Sequence, residues 1–321
     1  MNIEKNKLDD NVGLKYNHEV ILGKEEVAGF INGNKDIFIN IDVKQINESA
    51  MYYGYNQYFN PVKIGFKTDL IQKIIILTEP ISYTRYKAIL SFDGHLYNGF
   101  QIQNDQKTIQ GELTKIVSNV NGYESLVQGV SRTDAGVHAN SYVIHFDSTR
   151  DISDSKWLTL LNHQLPKDIL VKSVEKTHPL FHSRYDALMK RYIYKITLSD
   201  SNPFNINYEW QCQNIDLTIM KSNLKQLIGT HDFRSFCKGL ANSYVRTIYK
   251  AEAILIDESL TLVFEGSGFL RYMIRIIVNA LYLQSIGQLD VDMGIILKEK
   301  SRKYTKNLAP ASGLYLDQIK Y

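Results

Sequence analysis

The chain has 321 residues, 44% hydrophobic and 22% charged, with a formal net charge of +3. That is enough for two ordinary domains with sizeable cores, and too balanced in charge for global disorder. Its two cysteines, Cys212 and Cys237, are far apart and in no metal-like spacing, which argues against a disulfide framework and fits a reducing compartment.

The first 80 residues stand apart. Residues 1–84 carry nine Lys, no Arg and eleven acidic residues, a net of −2, while the remaining 28 basic and 23 acidic residues give +5 and include every Arg. Arg offers a planar fork suited to phosphate, so the basic body fits an anionic partner. MNIEKNKLDDN at the N-terminus lacks the apolar core of a signal peptide. Asp36–Val43 alternates at period two and predicts a strand. Met51–Asn60 is turn-rich and aromatic; it reads as a loop or a satellite core, with base stacking as the sharper alternative. Pro80 marks a boundary, so residues 1–80 are expected to be an N-terminal extension of unknown function.

From Arg85 onward the pattern sharpens. Strands are predicted at Tyr86–Phe92, Tyr142–Phe146, Ile169–Val174, Tyr192–Leu198, Ile248–Ile256, Leu260–Glu265 and Leu314–Ile319. Helices are predicted at Thr108–Val120, Asp154–Leu165, Leu217–Ile228 with Gly229 as its cap, Phe269–Ile286 and Met293–Lys298. Phe269–Gln288 is the greasiest stretch, yet Arg271 and Arg275 interrupt it, so no membrane partner is expected and the chain reads as cytoplasmic. Strands and helices mix without strict alternation. This predicts an α+β fold, a largely antiparallel sheet with helices on one face, in two halves spanning 85–180 and 181–321.

The chemistry-bearing stretch is Gly129-Val-Ser-Arg-Thr-Asp-Ala-Gly-Val-His-Ala139, in a predicted loop before a strand. A lone loop Asp is by default a turn former, but here Arg132 lies two residues away and the small Ala135-Gly136 pair leaves room for a bulky ligand to approach the backbone. No phosphate-cradling Gly loop and no His/Cys metal cluster stand out, so neither metal nor small-molecule cofactor is expected.

Ser131-Arg-Thr-Asp-Ala-Gly-Val-His-Ala139 resembles the signature of the tRNA pseudouridine synthase A family. The resemblance continues in order through Phe92-Asp-Gly94, Gly99-Phe-Gln101, Phe181-His-Ser-Arg184, Lys190-Arg-Tyr-Ile-Tyr194, His231-Asp-Phe233, Gly268–Arg275 and Ala309–Leu316. It departs where that family usually has Gly at Ser131, Tyr at Phe92 and Trp at Phe100. The resemblance implies the pseudouridine synthase fold and isomerisation of uridine at positions thirty-eight to forty of the tRNA anticodon stem-loop by a homodimer. It implies Asp134 as the catalytic nucleophile, with Arg275 as its cationic partner and Tyr192 packed on the target uracil. Arg132 and Arg184 are placed near the flipped nucleotide and its phosphates, and Lys190 and Arg191 are further candidates for backbone contacts. An RNA binder without catalysis and a carboxylate-dependent nucleoside hydrolase are the alternatives; the latter would need a second carboxylate near Asp134.

Overall fold

A computed structural model describes residues 83–321 except Ser201 and, among the first 82 residues, the backbone of four strands. The chain divides into two compact units, one of residues 1–84 with 149–151 and one of residues 85–148 with 152–321. In the first unit, β1 (Val20–Leu22), β2 (Met51–Tyr55), β3 (Pro61–Thr68) and β4 (Ile74–Pro80) form a sheet in the order β1-β4-β3-β2. Every pair in it is antiparallel. Met51–Tyr55 is therefore strand rather than loop. Its three tyrosines favour extended backbone once β3 supplies a partner. The strand expected at Asp36–Val43 lies outside the described residues.

The second unit is built on a ten-stranded mixed sheet. Its strands are β5 (Thr84–Phe92), β6 (Gln128–Gly129), β7 (His138–Ser148), β8 (Ile169–Thr177), β9 (Met189–Thr197), β10 (Trp210–Gln211), β11 (Gly229–Asp232), β12 (Val245–Ile256), β13 (Ser259–Gly266) and β14 (Leu314–Lys320). The order is β11-β12-β13-β9-β14-β7-β5-β8, with β10 beside β9 and β6 beside β7. Antiparallel pairs dominate; β14 runs parallel to β7, and β10 parallel to β9. The α+β expectation is met.

Five helices accompany this sheet: α1 (Ile109–Asn121), α2 (Asp154–Gln164), α3 (Leu217–Lys225), α4 (Met273–Ser285) and α5 (Met293–Glu299). In α1 the buried Ile109, Leu113, Ile116 and Val117 form one stripe, and Thr108 caps the first turn by accepting the Gly111 N–H. Helix α2 packs on β8, and α3 on β12 and α4. Among the described residues no helix is long and apolar enough to cross a membrane.

Two boundaries differ from the sequence expectation. Helix α3 stops at Lys225, because the Gln226 N–H turns back onto Asn223 and Leu224 while its side chain accepts the Gly294 N–H. Gly229, at φ 115°, opens β11 instead of capping the helix. Helix α4 begins at Met273 rather than Phe269, since Tyr272 sits in the left-handed region at φ 62°.

One core cluster shows what holds the β5 side of this sheet. The fully buried Tyr86, Phe146 and Trp157 rings lie 4.9–5.7 Å apart, centroid to centroid. Trp157 carries α2 into that cluster. Replacing Trp157 with Ala removes the anchoring ring, and the unfolding free energy measured by urea titration is expected to fall by about 3–5 kcal/mol.

Candidate active site

The Asp134 loop joins β6 to β7. Its tip is a tight turn in which the Val137 N–H donates to the Asp134 carbonyl at 3.2 Å and Gly136 takes φ 78°. Positive φ at the third turn position favours glycine. The loop is seated on the segment after β5: Phe100 N–H donates to the Thr133 carbonyl at 3.3 Å, and Gly136 N–H to the Tyr97 carbonyl at 3.2 Å. A Cβ at Gly94 would stand 1.9 Å from the Val137 oxygen, and one at Gly99 2.4 Å from the Thr133 oxygen. These two glycines thus let the backbones meet.

His138 fastens the far end of the loop. Burial keeps its ring below the usual His range despite the nearby Asp93 carboxylate. The neutral ring accepts the Gly94 N–H at Nδ1 (3.1 Å) and donates from Nε2 to the Asn207 carbonyl (2.9 Å), stacked on Tyr315 at 4.6 Å. With both ring nitrogens so occupied, His138 serves as a structural pin.

Arg275 arrives from the first turn of α4. Its Nε donates to the Ala309 carbonyl at 2.8 Å and its Nη1 to Asp134 Oδ2 at 3.3 Å. The side chains of Arg275 and Asp134 are only 14% and 18% exposed. Burial raises the Asp134 pKa above the ordinary carboxylate value, while the Arg275 charge, its hydrogen bond and the more distant Arg271 pull the other way without cancelling the rise. The carboxyl is thus more basic than a free aspartate, with a cation at hand to stabilise its charged form.

Tyr192 lies on β9, 6% exposed, its ring edge-on to Phe269 at 5.2 Å. Its hydroxyl and the Ser131 Oγ are 3.1 Å apart. Burial pushes the phenol pKa up to about 12, with the Asp134 charge adding to the rise and the Ser131 bond opposing it, so Tyr192 stays protonated at neutral pH. Tyr194, two residues on, donates instead to the Pro310 carbonyl at 2.8 Å. A Cβ at Gly313 would meet the Tyr194 ring at 2.7 Å, so the Ala309–Gly313 loop closes over that ring and supports Arg275.

The other basic candidates separate into two kinds. Arg132 and Arg184 are exposed. Half-buried Lys190 donates to the Val130 carbonyl at 2.6 Å, and burial, with Arg184 and Arg246 nearby, lowers its pKa to about 8. Arg191 is held by Asp317 at 3.2 Å and Glu265 at 3.8 Å. The contacts of Ser131 and Phe269 with Tyr192 had no local signal in the sequence, where Ser131 stands out only as a departure from the family's usual Gly. His178 and His182 stand four residues apart, a spacing seen in metal sites, but among the described residues no three His, Cys, Asp or Glu side chains gather as ligands. A cleft of about 310 Å³ is lined by Asp93, His138, Lys167 and Tyr208, among others, and not by Asp134, Tyr192 or Arg275.

A sequence profile described as tRNA pseudouridine synthase matches residues 88–186 and 224–321. Those segments contain Arg132, Asp134, Arg184 and Arg275; Lys190, Arg191 and Tyr192 fall between them. A protein named tRNA pseudouridine synthase A from Geobacillus sp. (strain WCH70) is 39% identical over 243 residues, covering 74% of this chain and 98% of the relative. Its namesake from Oenococcus oeni (strain ATCC BAA-331 / PSU-1) is 41% identical over 248 residues, covering 74% and 97%. A tRNA pseudouridine synthase A 1 from Bacillus cereus (strain ATCC 10987 / NRS 248) is 38% identical over 243 residues, covering 74% and 98%. The relatives are matched almost from end to end, and the chain belongs to the tRNA pseudouridine synthase family of isomerases.

Proposed function

We propose that this enzyme isomerises uridine to pseudouridine in tRNA, at positions thirty-eight to forty of the anticodon stem-loop, with Asp134 as the nucleophile. The observation that carries the reading is the largely buried contact between Asp134 and Arg275, with the Tyr192 hydroxyl of β9 meeting Ser131 on the stem of the Asp134 loop. The reaction breaks the N1–C1′ bond, forms a C5–C1′ bond, releases the C5 hydrogen and leaves a proton on N1. It needs a carboxylate that can bond to, or stabilise positive charge on, the reacting nucleotide. A carboxylate made more basic by burial is a better nucleophile, and Arg275 favours its ionised form.

The target base has to leave its stack, at a cost of a few kcal/mol. The Tyr192 ring supplies a surface for the extruded uracil, worth ~1–3 kcal/mol for stacking on an aromatic side chain. Arg132 and Arg184 are the exposed cations that we assign to the flipped nucleotide and its phosphates, making affinity fall with salt. Lys190 and Arg191 are engaged within the protein and take a lesser part. The resemblance to the family supports a homodimer, and the two widely separated cysteines fit a reducing, cytoplasmic setting.

Asp134→Asn keeps the side chain's shape and removes its charge. Release of tritium from tRNA labelled at uracil C5 should be abolished while tRNA affinity in filter binding stays unchanged; a rate within about tenfold of wild type would refute the nucleophile assignment. The single-turnover rate should decline on the acid side at a pH above the usual aspartate range, because the raised Asp134 pKa keeps the group protonated there. Arg275→Met removes the opposing charge and moves that limb to still higher pH, whereas Arg275→Lys keeps a positive charge and leaves the limb nearer its wild-type position. Deleting residues 1–80 should leave tritium release intact, since every proposed site residue belongs to the other unit; loss of activity in a folded truncation would give the extension a role in catalysis.

A further inference from the structure

Ser131 stands three residues before Asp134, and its backbone is fixed on both sides. Its N–H donates to the Tyr142 hydroxyl at 3.3 Å, and its carbonyl accepts from the same hydroxyl. Tyr142 is fully buried and stacked on Phe100 at 4.5 Å, so the clamp belongs to the core. One residue earlier, Val130 donates its N–H to the Val143 carbonyl and receives Lys190 Nζ on its own carbonyl. The Ser131 hydroxyl is therefore carried on a stem with little freedom to move.

That hydroxyl faces Tyr192. Among the described residues, Ser131 Oγ is the one hydrogen-bond partner of the Tyr192 phenol, at 3.1 Å. Either oxygen can be the donor, because both carry a proton. A phenol buried to this degree without a partner would bear the desolvation cost of its O–H and rotate freely about its C–O bond. Lys190 and Tyr192 are two apart on β9 and project from the same face. One strand thus holds the loop stem by the Val130 carbonyl and has its own tyrosine held in return by Ser131.

We propose that Ser131 is a positioning residue for the isomerisation: its hydroxyl fixes the Tyr192 phenol, and with it the ring, against the place of the target uracil. The proposal rests on the reading of Tyr192 as the tyrosine that meets the base. It assigns Ser131 no contact with RNA, so its effect belongs in the turnover number and not in tRNA affinity.

A double-mutant cycle tests it, with Ser131→Ala, Tyr192→Phe and the combined variant compared in tritium release under single-turnover conditions. Ser131→Ala is expected to slow the step about three- to tenfold, the size of one hydrogen bond, with tRNA affinity unchanged. In the Tyr192→Phe background the same substitution should have no further effect, because the oxygen it acts on is gone. Independent, multiplying losses would overturn the proposal, as would a Ser131→Ala enzyme at the wild-type rate. Where Tyr192→Phe is too slow to measure, Ser131→Thr decides. A threonine enzyme clearly faster than the alanine one supports the hydroxyl's role, and one no faster overturns it. Failure of the catalytic reading itself has a different signature, namely no tritium release by the wild type or undiminished release by Asp134→Asn.

Discussion

The structure turns on a contact between two side chains 141 residues apart, the Asp134 carboxylate and the Arg275 guanidinium. Burying either charge alone is unfavourable, and pairing them only partly offsets the loss of water. Here burial has the larger effect on the acid, whose pKa stays raised with the cation beside it. A solvated aspartate would be a weaker base, and a buried one without Arg275 would have its pKa raised further. The contact keeps Asp134 between those extremes.

Three neighbouring strands bring the pair together. Strand β7 begins at His138, directly after the Asp134 turn, and β14 begins at Leu314, directly after the loop that holds Arg275 through Ala309. They run parallel, with Tyr315 opposite His138 and Leu316 opposite Ala139, so both loops arrive at the same end of the central strands. On the other side of β14, Leu316 faces Tyr192 of β9. The sheet register thereby delivers Asp134, the anchor of Arg275 and Tyr192 to one place. The close backbone approaches at Gly94 and Gly99 then fix the height of the Asp134 loop above its support.

The basic residues illustrate how context divides like from like. Four candidates share the same charge, yet Arg132 and Arg184 remain exposed, Lys190 is drawn onto a backbone carbonyl, and Arg191 is neutralised by Asp317 and Glu265. Alternation along β9 explains part of this, since Lys190 and Arg191 must point to opposite faces. The two carboxylates that meet Arg191 come from β13 and β14, far away in sequence.

The sequence alone determined the α+β class and most strands and helices of residues 85–321, and it singled out the stretch from Ser131 to Ala139. Hydrophobic periodicity and cap residues are local signals, and motif order along the chain is visible without coordinates. It misplaced what local signals do not govern. Gly229 resembled a helix cap until β12 gave it a strand to pair with, and Phe269 looked like a helix start until Tyr272 broke the turn. Only the tertiary structure decided that Tyr194 is bonded to Pro310 while Tyr192 meets Ser131, and that burial outweighs Arg275 at Asp134. Those outcomes depend on which distant groups share a desolvated space, a property of the packed sheet rather than of any stretch of chain.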